Sequence, residues 1–461
     1  MFLELDKKNK DTVAVVDDNK EYVTYGDLCD FSKKISKVLS ERTLIFIFAE
    51  NSIGSLLGYV SALTNRIVPL IISRNTDKAL YGRFYKMYNP KYLWIPKDMV
   101  NLFGGKVIYE NYQYLLIDTG LSSAPLYKDL SLLLPTSGST GSPKLVRHSY
   151  QNIEANARNV AELFQITPSD RPIAILPMHY TMGLSVITSH LYAGARIYLS
   201  KKALTDKAFW DTLKNDKITS FTGVPFSYEI LEKLRFFRME LPDLKIITQG
   251  GGKLNTELFK KCCEYASSNN KKFIPTYGQT EGTARMTFLE PEMASKKIGS
   301  IGKAIPNGQL SIIDAKGNET FEGETEGEMI YRGKNVTLGY AINEDDFIKG
   351  DENNGIIHTG DIVHRDSEGY YYIIGRMKRF LKIYGLRIGL DEVEYLVKSN
   401  FAIDCVCSGN DDLLKVMITN KDITELVKGF IVEKTKLFQK NIEVLYVDHI
   451  ERNEAGKIIL H

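Results

Sequence analysis

At 461 residues the chain is long enough for two or more domains of about 150 residues each, and 43% apolar residues supply an ordinary globular core. Lysine and arginine (59) barely outnumber aspartate and glutamate (57), and the signs are interspersed, so the clustered positive face of a nucleic-acid binder is missing. Polar residues such as Glu50, Asn51 and Arg66 interrupt the longest apolar runs, so no membrane span is expected.

Five cysteines (Cys29, Cys262, Cys263, Cys405, Cys407) form no C-x-x-C pair and no metal spacing, which fits a reduced, cytoplasmic chain. The first six residues lack the basic-then-apolar order of a signal peptide.

Along the chain, Leu28, Phe31, Ile35, Val38 and Leu39 recur at helical spacing, and residues 44–48 read as a buried strand. Further strands are expected at 68–72, 92–95, 132–134, 173–176, 197–199, 246–248 and 273–274. Helical patterns lie between several of them, as at Ile153, Ala157, Val160 and Phe164, or Leu258, Cys262 and Tyr265. This alternation implies an α/β architecture of parallel sheets with covered faces. After about residue 300, closely spaced strands at 310–313, 328–331 and 370–374 with Gly-rich turns suggest a small antiparallel barrel. Beyond residues 375–378 come a helix (390–397), strands (404–407, 414–419), a helix (423–438) and a strand (442–447), a compact α+β unit. The expected division is a large N-terminal domain, 1–377, with the barrel-like part at about 300–377, and a small C-terminal domain, 378–461.

Residues 136–144 read Thr-Ser-Gly-Ser-Thr-Gly-Ser-Pro-Lys. Backbone N–H groups in such a loop form a concave anion site, with hydroxyls and an ammonium as further donors. The Walker order is absent, and composition alone equally allows a flexible Ser/Gly surface loop. Residues 276–281 read Thr-Tyr-Gly-Gln-Thr-Glu, where a hydroxyl beside a carboxylate suits Mg²⁺. The glycines Gly250, Gly251 and Gly252 follow the strand at 246–248 and permit close backbone approach to a ligand. His358-Thr359-Gly360-Asp361 and Gly375-Arg376 lie further on, and the chain reaches Gly456-Lys457-Ile458 near its last residues.

Taken in order, these segments resemble the adenylate-forming (AMP-binding) superfamily of acyl-CoA synthetases, aryl-CoA ligases, luciferases and peptide-synthetase adenylation domains, and the resemblance covers essentially the whole chain. It implies a two-sheet N-terminal domain with a β-barrel subdomain and a mobile α+β C-terminal lid. ATP would be the cosubstrate. Thr136, Ser137, Gly138, Ser139, Thr140, Gly141 and Lys144 would hold its phosphates. Gly250, Gly251 and Gly252 would flank the adenine, Tyr277 beside Gly278 would stack on it, Thr280 would contact the α-phosphate, and Glu281 would bind Mg²⁺. Asp361 would accept the ribose hydroxyls, supported by Arg376. Lys457 would bridge substrate carboxylate and α-phosphate as the catalytic cation. Lys378 would be the hinge, and Gly385 and Lys382 would lie along the thiol tunnel. Gly327-Glu328 and Gly339-Tyr340 match a structural segment with no assigned chemistry. Leu145 stands where relatives often have glycine, and Gly252-Lys253 replace Ala-Pro, the first change slightly widening the pocket.

His179, in Pro177-Met178-His179-Tyr180, matches the gating position of acyl- and aryl-CoA ligases. Amino-acid-activating relatives carry Phe-Asp where this chain has Tyr180-Thr181. Without that carboxylate a buried ammonium would be costly, so an organic acid is favoured. Its pocket is expected near 221–227, 250–252 and 282–286, with Phe221, Phe226 and Met286 as apolar lining. The expected activity forms an acyl-adenylate with pyrophosphate release, then transfers the acyl group to a phosphopantetheine thiol of CoA or of an acyl carrier protein. An acidic carrier would dock on the basic cluster Lys378, Arg379 and Lys382, and a fused carrier domain is not expected. The alternatives are an amino-acid adenylating ligase that loads a carrier protein and a non-catalytic acyl or nucleotide sensor. A luciferase-like oxidation is asked for by nothing in the sequence.

Overall fold

In the computed structural model, every residue is described except 40, 136–143, 378, 384–385, 455, 457 and 460–461, together with the side chains of 382 and 387. The chain divides into two compact units. One comprises Met1–Ile298, Ala304–Gln309 and Arg332–Ile357; the other comprises Gly299–Lys303, Leu310–Tyr331 and His358–His461. The strands after residue 300 are therefore grouped mainly with the C-terminal segment.

Local chemistry sets the helices of the first unit. Tyr25–Ser36 starts at Thr24, whose side chain accepts from Asp27 N while the Asp27 carboxylate accepts from Thr24 N at 2.8 Å, a reciprocal capping box. Its apolar stripe of Leu28, Phe31 and Ile35 is buried, and Val38 and Leu39 fall beyond its end. Tyr150–Phe164 is capped the same way by Ser149 and Asn152 and stops at Gln165, which is left-handed at φ 53°. Ile153, Ala157, Val160 and Phe164 form its buried stripe, as their spacing predicts.

Two sheets carry this unit. The first has eight strands in the order Gly339–Ala341, Leu145–Ser149, Leu130–Pro135, Val68–Ser73, Leu44–Ala49, Tyr92–Pro96, Tyr114–Asp118, Lys106–Asn111. Its centre is parallel and its flanks antiparallel. All six residues of Leu44–Ala49 are buried, as expected for a strand covered on both faces. In the second sheet Lys272–Tyr277, Ile246–Gln249, Ser220–Gly223, Pro172–Ala174, Ile197–Leu199 and Val13–Val16 run parallel as successive neighbours. Ile45 and Ile47 of one sheet and Val15, Ile197 and Leu199 of the other share a core with the helices Ile53–Thr64 and Thr181–Ala193. The strand expected at 173–176 is shorter: Asn51 Nδ2 binds the carbonyls of Ala174 (3.0 Å) and Leu176 (3.1 Å), replacing ladder partners just before Pro177.

In the second unit a five-stranded sheet has the order Glu319–Thr320, Gly308–Ile313, Thr325–Gly333, Ile356–Arg365, Tyr371–Arg376, some strands entering from the first unit. This is the region read as barrel-like. An antiparallel pair, Phe380–Ile383 with Leu386–Gly389, leads to helix Leu390–Phe401. A three-stranded sheet (Cys405–Asn410, Leu413–Ile418, Ile442–Tyr446) shares a core with helices Leu390–Phe401 and Thr424–Thr435 through Val397, Leu414, Val416, Val427 and Ile431. The second helix ends three residues before the expected 438, because Lys436 turns left-handed at φ 59°. Among the described residues no helix is long and apolar enough to cross a membrane.

Candidate functional site

The turn after Lys272–Tyr277 is the centre of the first unit's polar constellation. A Cβ on Gly278 would lie 1.4 Å from the Ala284 carbonyl oxygen, so only glycine lets the chain double back here. The loop passes through a short 3-10 turn, Thr280–Gly282, and then two non-glycine left-handed residues, Thr283 (φ 52°) and Ala284 (φ 79°). Such backbone persists where surroundings over-determine it. Those surroundings are visible: Asn335 Nδ2 donates to Gly282 O (2.7 Å), Thr283 Oγ1 donates to Asn335 O (2.6 Å), and Thr337 N donates to Glu281 O (2.9 Å).

The turn presents two side chains with defined partners. Thr181 Oγ1 donates to Thr280 Oγ1 at 2.9 Å, from the first residue of helix Thr181–Ala193. The Tyr340 hydroxyl donates to Glu281 Oε1 at 2.7 Å. The Lys144 ammonium lies 5.4 Å from the centroid of the same Tyr340 ring, a cation–π distance. Burial, then the Glu281 charge, pushes the Tyr340 phenol well above its ordinary pKa, so it remains a donor. Tyr277 is buried, and its hydroxyl accepts from Gln279 Nε2 at 3.0 Å.

The glycine turn adjoins this loop. Gly251 is left-handed (φ 77°), and a Cβ on Gly250 would approach Thr276 Oγ1 to 2.8 Å and Met182 Sδ to 2.9 Å. A Cβ on Gly252 would meet Pro225 Cγ at 3.1 Å, so a proline ring, not open space, borders the glycine expected to widen the pocket. Leu176, Met182, Val224 and Tyr180 make an apolar cluster beside it. Of the lining residues expected from sequence, Phe221 and Met286 are fully packed, while Phe226 is exposed. His179 is half-buried in a segment held by Asn51, whose Oδ1 accepts from Met178 N at 3.0 Å.

In the second unit Asp361 and Arg376 are cross-strand partners, with Arg376 Nε 3.0 Å from Asp361 Oδ1. Asp361 is buried, and its N–H donates to Thr359 Oγ1 at 3.1 Å. His358 Nδ1 stands 3.3 Å from Glu328 Oε2. Arg379 is engaged internally: it pairs with Asp391, donates to Glu394 Oε1 at 2.6 Å and to Cys407 O at 3.1 Å. It is therefore not the free docking cation the sequence suggests. Arg452 binds Asp404 at 2.6 Å and forms an antiparallel bridge with Ile458.

Thr136, Ser137, Gly138, Ser139, Thr140, Gly141, Lys378, Gly385 and Lys457 lie outside the described residues, as does the Lys382 side chain. Among the expected residues of the first unit, the structure brings Lys144 and Glu281 together through Tyr340. Thr181 was read from sequence only as a missing carboxylate, and Asn335 and Tyr340 were given no role. The Gly339-Tyr340 pair was a usable signal for the last, whereas nothing in the sequence marks Asn335.

Among the described residues no group of three or more His, Cys, Asp or Glu could hold a metal. The single carboxylate of Glu281, beside hydroxyl oxygens, instead fits Mg²⁺, which keeps several waters and binds through one or two carboxylates plus substrate phosphates.

The chain is 29% identical over 349 residues to an oxalate–CoA ligase of Arabidopsis thaliana, covering 72% of this chain and 66% of that protein. It is 28% identical over 339 residues to an indoleacetate–CoA ligase of Aromatoleum aromaticum, covering 71% and 65%. The match thus spans just under two thirds of these relatives' length. The fold superposes on the o-succinylbenzoate CoA synthetase of Bacillus subtilis, solved with ATP and a magnesium ion, at a TM-score of 0.79 and 18% identity, covering 99% of this chain and 98% of that one. The model of the AMP-binding enzyme family matches residues 103–341, more than half of the sequence and the stretch that carries Lys144, the glycine turn, Glu281 and Tyr340, so the chain belongs to the AMP-binding enzyme family.

Proposed function

We propose that the protein is an ATP-dependent acid–thiol ligase. The observation that carries this reading is the convergence of Thr280, Glu281 and Lys144 on one turn, with Thr181 and Tyr340 holding them. A carboxylate oxygen of the acid attacks the α-phosphorus of ATP, the α–β phosphoanhydride bond breaks, and pyrophosphate leaves with the bond's electrons. Two anions meet in that step, so it needs positive charge and oriented donors. Lys144 offsets the charge of the leaving phosphates. Thr280 orients the α-phosphate. Glu281 supplies the carboxylate for Mg²⁺, which when bound neutralises phosphate charge. Tyr277 and the glycine turn hold the adenine, and Asp361 with Arg376 the ribose. The resemblance adds Lys457 as the cation between carboxylate and α-phosphate, Lys378 as the hinge between the domains 1–377 and 378–461, and Gly385 with Lys382 at the thiol. In the second step a thiolate attacks the acyl carbonyl and AMP leaves.

The substrate class of this reading is an organic acid, because Tyr180-Thr181 offers no carboxylate to an α-ammonium, and His179 is its gate. The acids for which the relatives are named, oxalate and indoleacetate, are small organic acids. CoA is the preferred thiol, because Arg379, one of three cations suited to an acidic carrier, is neutralised by Asp391 and Glu394. Five free cysteines suit a reduced cytoplasm. The test is to incubate the protein with ATP, Mg²⁺, a panel of small organic acids and either CoA or a phosphopantetheinylated carrier, and to identify thioesters by mass spectrometry. Acyl-CoA from one acid class is the expected product. Loading of the carrier alone would overturn the choice of thiol.

A further inference from the structure

Glu281 and Lys144 are far apart in sequence, and one tyrosine touches both. Strand Gly339–Ala341 pairs antiparallel with Leu145–Ser149, with Tyr340 opposite Val146. That register sets Tyr340 diagonal to Lys144, within reach of a long side chain. The strand is held rigidly. Buried Arg147 donates from Nε to Tyr340 O (3.0 Å) and from Nη2 to Leu338 O (3.1 Å), and it also pairs with Glu352. Asn152 Nδ2 binds the carbonyls of Lys334 and Val336, and Leu338 N donates to Arg147 O at 2.8 Å. The segment that presents Tyr340 is thus fastened at one end to the strand after Lys144 and at the other, through Asn335 and Thr337, to the Glu281 turn. Tyr340 itself is 39% exposed and is not needed to fill the core.

We propose that Tyr340 is a positioning residue for the metal–phosphate half of the site: its hydroxyl aims the Glu281 carboxylate and its ring face seats the Lys144 ammonium. This rests on the ligase reading for the roles of Glu281 and Lys144. The phenol aims the carboxylate by one hydrogen bond to Oε1, leaving Oε2 for Mg²⁺ or for its water shell. Partners that orient a metal ligand commonly change metal affinity by about 10- to 100-fold when removed. The ring offers the ammonium a weakly held position that a phosphate oxygen can displace.

The variants Tyr340→Phe and Tyr340→Ala separate the two contacts, since phenylalanine keeps the ring and loses only the hydroxyl. ATP binding is measured by calorimetry across a Mg²⁺ titration, without acid, so that no turnover is needed. Tyr340→Phe is expected to raise the Mg²⁺ concentration for half-maximal ATP coupling by roughly tenfold, leaving ATP affinity without Mg²⁺ unchanged. Tyr340→Ala is expected to weaken metal-free ATP binding as well. An unchanged Mg²⁺ dependence in Tyr340→Phe, with wild-type protein binding Mg-ATP normally, overturns the role of Tyr340 alone. Wild-type protein that binds no Mg-ATP overturns the ligase reading beneath it. A loss of ATP binding equal at every Mg²⁺ concentration in both variants would mark Tyr340 as merely structural and overturn the proposal.

Discussion

The 1.4 Å approach of a Cβ on Gly278 to the Ala284 carbonyl oxygen makes one hydrogen atom the condition for the whole turn. No side chain can yield there, because the obstructing atom is backbone. Gly278→Ala is therefore expected to cost about 2–3 kcal/mol in urea unfolding and to abolish ATP binding. Retained binding would show that the loop has a second conformation. Thr181 acts more selectively. Thr181→Val keeps the shape and removes the donor to Thr280 Oγ1. Losing one such bond is worth about 1 kcal/mol, so kcat for adenylate formation should fall roughly fivefold while KM for ATP moves little. The glycines of this region were legible in the sequence because their requirement is local. Asn335 was not, and Tyr340 was marked by its motif but not by its contacts, since their partners lie 53 and 59 residues away.

At the scale of elements, the strap from Asn335 to Glu352 depends on Arg147. Burial pulls the guanidinium pKa below its ordinary value although Glu352 opposes the shift. Its hydrogens satisfy the carbonyls of Tyr340, Lys349 and Gly350. Arg147→Met removes those donors and should destabilise by about 2 kcal/mol in thermal or urea melts. It should also raise the Mg²⁺ requirement for ATP binding, because Tyr340 loses its anchor. Amphipathic helices such as Tyr150–Phe164 were readable from their stripe. Ile53–Thr64 was not, since every residue but Thr64 is buried and no polar face marks a period. Helix Thr181–Ala193 was hidden the same way, so the bond from its first residue, Thr181, to Thr280 went unread.

For the molecule as a whole, two histidines tie stability to pH. Burial lowers the pKa of His148 from 6.5 to about 3 and that of His190 from 6.5 to about 4. The unfolded chain therefore takes up protons first as pH falls. Their contribution is complete above pH 6.5 and is lost as pH drops through 4 and then 3, by about 3–5 kcal/mol per histidine once both states are protonated. Urea midpoints measured from pH 7 to 4 should fall steeply, and less steeply in His148→Gln. His148 Nδ1 stands 3.4 Å from Thr283 Oγ1, so acid should loosen the Glu281 turn as it destabilises the chain. The strand–helix alternation and the change of pattern after residue 300 carried the α/β class and the smaller C-terminal sheets. How the strands between 299 and 357 distribute over two units depends on long-range pairing that no local pattern records.

The most direct test of the central claim is acid-dependent pyrophosphate release from Mg-ATP, with hydroxylamine to trap the adenylate and with Glu281→Gln and Lys457→Ala as controls. The account predicts release with one class of organic acid and its loss in both variants. Release with no acid in a broad panel, release only with α-amino acids, or release undiminished in the variants would contradict it.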